Sequence, residues 1–131
     1  MSAPDALPQA TEYCPTTTMK RLGENNILIV DVRSVEDYSL LRLDVPEQIH
    51  IPLEQLEERF TEVPAGRDVI VVSVDGSQSL KATYFLMYQG YTSVANMKMG
   101  IRQWLKRDFP VTGDIAAWQQ KHPADHSEGC C

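Results

Sequence analysis

Cysteine is scarce in this chain: of 131 residues only three are cysteine, and none lies between Cys14 and Cys130. Cys14, Cys130 and Cys131 do not form an even, spaced framework, so structural disulfides are not expected and a reducing compartment fits. Positive charge is also short, with 12 Lys and Arg against 18 Asp and Glu and a net charge of −6. The small basic clusters "KRL" and "LKRD" do not offset that sign, which repels phosphate backbones, so no nucleic-acid partner is expected. No apolar run approaches a membrane span, and "MSAPDALPQATEYCP" has neither the basic start nor the apolar core of a signal peptide. The expectation is a cytoplasmic protein without membrane association. At 43% hydrophobic and 23% charged residues, the composition is that of one ordinary globular domain.

What is present alternates between two periodicities. "ILIVDV" (27–32) and "VIVVSV" (69–74) are branched apolar runs, the pattern of strands covered on both faces, and "YTSVANM" signals a third. Helical segments lie before, between and after them. "CPTTTMKRLGENN" offers Thr16 or Thr17 as cap and Gly23 as stop. "SVEDYSLLRL" opens on Ser34 as N-cap with Asp37 three residues on. "IHIPLEQLEERFTEV" turns at Pro52 into a helix presenting Leu53, Leu56 and Phe60. A helix from about Gln78 to Gln89 is predicted to bury Leu80, Tyr84 and Leu86 or Met87 and to stop at Gly90. "GIRQWLKRDF" turns Ile101, Trp104 and Leu105 inward, and "TGDIAAWQQKH" is a last helix with Thr112 as cap. Strands and helices in this alternation predict an α/β three-layer domain with a mostly parallel central sheet flanked by helices. Its expected limits are residues 13–121, after a leader at 1–12 and before a His/Cys tail at 122–131.

The ordered motifs resemble the rhodanese-like domain from about Cys14 to Val111. "ILIVDVRSVEDY" is similar to that family's first signature, "VPEQIHIPL" to its Pro-bearing passage, and "VIVVSVDGSQSLKATYFLMYQGYTSVANMKMGIRQW" to its active-site strand, loop, helix and closing Gly-Ile-x-x-Trp. The resemblance implies a loop that begins with Cys, with Gly three residues later and usually Arg two beyond, whose inward N–H groups stabilise a thiolate or persulfide and the sulfur-delivering anion.

In this chain Ser73 stands at the Cys position, Gly76 at the Gly and Gln78 at the Arg, within the stretch Ser73, Val74, Asp75, Gly76, Ser77, Gln78, Ser79. A serine hydroxyl is neither soft nor ionised near neutral pH and cannot hold a sulfane sulfur. Asp75 adds a negative charge where the resemblance places an anion, and Gln78 removes the compensating cation. Leu43-Asp44 stands where the family usually has Gly-His. Thiosulfate sulfurtransfer is therefore not expected at this loop, and a phosphatase reading fails for want of the same Cys and Arg. A serine nucleophile would need a base, and His50, His122 and His126 lie outside the motif. The plain reading of Ser73 is a hydrogen-bonded strand-end residue.

Thiols reappear in "KHPADHSEGCC", where Cys130 and Cys131 are adjacent. Terminal thiols are reactive through access, and such a pair can carry a persulfide, close a vicinal disulfide or take a soft metal. His122, His126 and Cys130 recur at intervals of four and with Cys131 make a weaker metal-ligand set, which Pro123 and Gly129 work against. Cys14 is expected to be a small buried or half-buried thiol. Asp31 and Arg33 read as a structural charge pair, and Trp104 and Trp118 as packing residues.

Three functional readings follow. The first is a sulfur-trafficking or sulfurtransferase-accessory protein that uses Cys130 and Cys131 as persulfide carriers, with a protein sulfur donor or acceptor as partner and no cofactor. The second is a non-catalytic binding or regulatory module that recognises a partner through the altered loop. The third is metal binding or delivery by the tail.

Overall fold

The computed structural model describes residues 9–24 and 26–123. Strand β1 (Thr11–Tyr13) leads into helix α1 (Pro15–Glu24), followed by β2 (Ile27–Asp31), α2 (Val35–Leu40), β3 (Leu41–Leu43) and β4 (Gln48–His50). A short 3-10 turn at Leu53–Gln55 opens α3 (Leu56–Arg59), and then come β5 (Asp68–Val72) and α4 (Ser77–Tyr88). The chain continues through β6 (Val94–Met97), α5 (Gly100–Lys106), β7 (Val111–Gly113) and α6 (Ile115–Lys121).

Five strands form one sheet in the order β1-β6-β5-β2-β4, and every pairing in it is parallel. All the strand carboxyl ends therefore meet at one edge, the edge where open α/β sheets build their sites. The apolar runs divide by alternation. Ile27, Ile29, Ile70, Val72 and Met97 face Ile101, Trp104 and Trp118 on one side, while Leu28, Val30, Val69 and Val71 face Leu56, Val63, Ala82 and Leu86 on the other. The expected three-layer α/β architecture is thus present, with both sheet faces covered.

The structure redraws several local details. β1 begins at Thr11, inside the stretch expected to be leader, and pairs with β6 at the sheet edge. Helix α1 starts at Pro15, ahead of the expected Thr caps, and passes through Gly23. β3 and β7 form a separate antiparallel ribbon. This ribbon takes Thr112, so the cap of α6 falls to Asp114, whose Oδ1 accepts the Ala117 N–H at 3.0 Å. Ser34 is the cap of α2 as expected, accepting the Asp37 N–H at 3.1 Å. Helix α4 buries Ser79, Ala82, Thr83 and Leu86, while Tyr84 is 40% exposed. Small side chains let α4 lie close against β5 and β6, and that turns the predicted Leu80/Tyr84 face sideways.

Candidate active-site loop and its surroundings

β5 ends at Val72 and α4 begins at Ser77, so residues 73–76 form the connection at the carboxyl edge. Gly76 supplies the turn with φ +91°, a left-handed conformation that side-chain-bearing residues rarely adopt. A Cβ there would stand 2.8 Å from the Met99 amide nitrogen. On the other side of the same contact, a Cβ on Gly100 would collide with the Val74 carbonyl. The first amides of α5 grip the loop, with Ile101 N–H donating to Ser73 O at 2.9 Å and Arg102 N–H to Val74 O at 3.1 Å. Asn96 Nδ2 adds a bond to Gly76 O at 3.2 Å.

Within this frame the amides of Gly76, Ser77 and Ser79 are engaged by side chains of the loop. Ser73 is 1% exposed, and its Oγ accepts the Gly76 N–H at 3.2 Å and the Ser79 N–H at 3.1 Å, while sharing a 2.8 Å bond with the Ser79 hydroxyl. Asp75 Oδ1 takes the Ser77 N–H at 3.0 Å and the Ser77 hydroxyl at 2.7 Å. These bonds, joined by the charge of Arg102, hold the Asp75 carboxyl below the usual aspartate range. The amino end of α4 thus carries an anion of its own, fixed in place by the turn. Val74 is half-buried and Gln78 exposed; neither supplies a cation.

A cavity of about 380 Å³ opens over the loop, lined by Arg33, Ser34, Asp37, Val74, Asp75, Ser77, Gln78, Arg102 and His122. Sequence separation hid two of these residues. Arg102 comes from α5 and places a guanidinium near Asp75. His122, in sequence outside the motif, reaches the cavity because α6 folds back over α2. Its Nε2 lies 3.0 Å from Asp37 Oδ1, its ring packs on Trp118 at 4.7 Å between centroids, and Lys121 Nζ meets the same Asp37 oxygen at 2.8 Å. Burial pushes the Asp37 carboxyl up, but the bonds and charges of Lys121 and His122 outweigh it and leave it below the ordinary value.

Asp31 and Arg33 form a fully buried pair beneath the cavity, the structural role read from the sequence. Arg33 Nη2 lies 2.7 Å from Asp31 Oδ2 and 2.6 Å from Leu41 O, and Nε bonds both Asp31 oxygens. His50 donates from Nε2 to Arg33 O at 2.8 Å and stacks on Tyr38 at 4.2 Å, so it serves the loop after β2. Among the described residues, neither Ser73 nor Ser77 has a histidine as hydrogen-bond partner.

His126, Cys130 and Cys131 lie outside the described residues. Among the described residues, no group of three His, Cys, Asp or Glu is arranged to hold a metal ion, and no helix is long and apolar enough to cross a membrane. Cys14 is half-buried, with Sγ 3.6 Å from Thr17 Oγ1. It is disulfide-bonded, which corrects the expectation of a simple thiol there.

The model of the rhodanese-like domain family matches residues 15–107, and the chain belongs to that family. A sulfurtransferase of Allochromatium vinosum is 30% identical over 93 residues, which are 70% of this chain and 85% of that protein. A Bacillus subtilis protein named "Putative sulfur carrier protein YrkF" is 30% identical over 82 residues, 63% of this chain but only 43% of that protein. In fold, the rhodanese-like domain of an Anabaena protein superposes with a TM-score of 0.70 at 22% identity, covering 94% of this chain and 90% of that one. The chain is a rhodanese-like protein, and two of its relatives bear the names of sulfur-handling proteins.

Proposed function

We propose that this protein carries sulfane sulfur on its terminal cysteines, Cys130 and Cys131, instead of on the loop after β5, and passes it between a donor and an acceptor protein. The observation that carries the reading is the state of the loop. Ser73 is buried and takes the amides of Gly76 and Ser79, and Asp75 takes that of Ser77, so among the described residues the loop presents a carboxylate and no cysteine lines the cavity. Sulfur chemistry in this chain then needs a thiol from elsewhere, and the adjacent pair in the sequence supplies it. The names of the two sulfur-handling relatives support the class of chemistry.

The test exposes the reduced full-length protein to inorganic polysulfide, followed by alkylation and peptide mass spectrometry, with a C130S/C131S variant beside it. Sulfur added to the peptide ending at Cys131 and lost in the variant is the expected result. Added sulfur elsewhere, or none, refutes the carrier.

A second reading rests on the 380 Å³ cavity with its mixed lining of Arg102, Asp75, Gln78 and His122, a surface for a polar partner segment. In that reading the protein is a non-catalytic binding module. Removal of residues 124–131 separates the two, since a binding module keeps its partner and a carrier loses its sulfur.

A further inference from the structure

A second cavity, of about 320 Å³, lies between α5 and α6 and is lined by Arg102, Leu105, Lys106, Trp118, Gln119 and His122. Helical spacing explains the lining. Ile101 and Trp104 turn into the core and are fully buried, so Arg102, Leu105 and Lys106, three and four positions apart, share the neighbouring face of α5. Trp118 and His122, four apart at the end of α6, close the other side with their ring centroids 4.7 Å apart. Lys106 and Gln119 are exposed at the rim, Leu105 is half-buried, and Trp118 is only 1% exposed. Arg102 and His122 also line the loop cavity, but the two cavities differ in charge. Asp37 and Asp75 line the loop cavity, whereas the α5/α6 lining holds two cations and, among the described residues, no acid. In a chain of net charge −6 that is a local reversal of sign.

Trp118 supplies an independent observation. Its Nε1 is buried and, among the described residues, has no hydrogen-bond partner. Folded proteins rarely leave a buried N–H without an acceptor. The other tryptophan, Trp104, gives its Nε1–H to Pro110 O at 3.0 Å. We infer that the α5/α6 cavity binds a small aromatic carboxylate, with its ring against Leu105 and Trp118, its carboxylate on Arg102 and Lys106, and one carboxylate oxygen as the acceptor that Trp118 Nε1 lacks. The volume falls within the range of ligand pockets, about 300–1,000 Å³, and an apolar wall with a few polar groups is the lining of a small-molecule site. Guanidinium and ammonium groups pair with carboxylates through charge-assisted bonds, and each carries several N–H donors, so the other contacts of Arg102 and Lys106 in the protein persist beside the ligand. The loop cavity, with two carboxylates in its lining, disfavours the same anion. The site goes beyond the carrier reading and does not depend on it.

The experiment follows the indole N–H resonances of the isotope-labelled full-length protein by NMR during titration with 2-naphthoate, with 2-naphthamide as the uncharged comparison. W118F removes one of the two resonances and so assigns both. Through-space contacts with the neighbouring His122 ring assign the Trp118 indole independently of that variant. Saturable downfield movement of the Trp118 indole proton, with the Trp104 indole unmoved, is the expected result. The amide is expected to bind about tenfold more weakly, since it forfeits the charge-assisted bonds, and R102Q/K106Q to weaken naphthoate by a similar factor.

An unmoved Trp118 indole at millimolar naphthoate, equal affinity for the amide, or unchanged affinity in R102Q/K106Q each overturns the inference. Movement of the Ser77 and Gln78 amides with Trp118 unmoved places the anion in the loop cavity and overturns it as well. None of these outcomes bears on sulfur loading, so the site and the carrier reading fail separately.

Discussion

Ser73→Ala separates a structural serine from a working one. The substitution removes the acceptor for the Gly76 and Ser79 amides and the partner of the Ser79 hydroxyl at a site only 1% exposed. A buried donor left without an acceptor costs about 1–3 kcal/mol, and the Ser79 hydroxyl is able to turn elsewhere. Two stranded amides, less the small gain from burying a methyl group in place of a hydroxyl, give a loss of roughly 2–4 kcal/mol. For a chain of this size that lowers the melting temperature by roughly 6–15 °C, at about 3–4 °C per kcal/mol. Thermal and urea unfolding of wild type, S73A and S73C measure it. S73C retains an acceptor, though a weak one, and should fall between the two. A loss below about 0.5 kcal/mol in S73A would refute the claim that Ser73 collects the loop donors, as would full stability joined to lost sulfur transfer.

Other consequences are as specific. Arg33→Met leaves the Asp31 carboxylate buried and unpaired, with an expected loss of about 3–5 kcal/mol in urea unfolding, part of it recovered in D31L/R33M. Gly76→Ala forces a Cβ against the Met99 amide at φ +91° and should destabilise by about 1–3 kcal/mol, seen as a lower urea midpoint with unchanged slope. The carboxyl of Asp37 is lowered on folding by Lys121 and His122, so its contribution is whole above the unfolded value of about 3.9 and is lost as pH falls through the lower folded value. Acid titration of stability should therefore be flatter below about pH 4 in D37N than in wild type, and equal slopes would contradict the role given to this contact.

The central sheet was legible because "ILIVDV" and "VIVVSV" are short, β-branched runs apolar on both faces, the pattern of a covered strand, and both supply core strands. The connection between β5 and α4 was legible as a polar loop, and its bonds, Ser73 to the Gly76 and Ser79 amides and Asp75 to Ser77, appear only with coordinates. The three-residue strands β1, β3 and β7 were not, as three residues carry no usable periodicity. The face of α4 was misread because a helix lying close to a sheet buries Ser79, Ala82 and Thr83, and hydropathy gives those positions no weight. Thr112 and Asp114 are both acceptable caps, and the choice depended on an unseen strand partner, Arg42, which claims Thr112. The bond of His122 to Asp37 spans 85 residues and carries no local signal.

The place where transferable sulfur resides separates the tail from the loop. The decisive measurement is the rate of sulfur transfer from inorganic polysulfide to cyanide by wild type, C130S/C131S and S73A, each held at a temperature where circular dichroism confirms it is folded. Transfer that collapses in C130S/C131S and persists in S73A is the result expected from a closed loop and a working tail. Transfer that persists without the terminal cysteines and disappears in S73A would place the chemistry back at the loop and contradict the account.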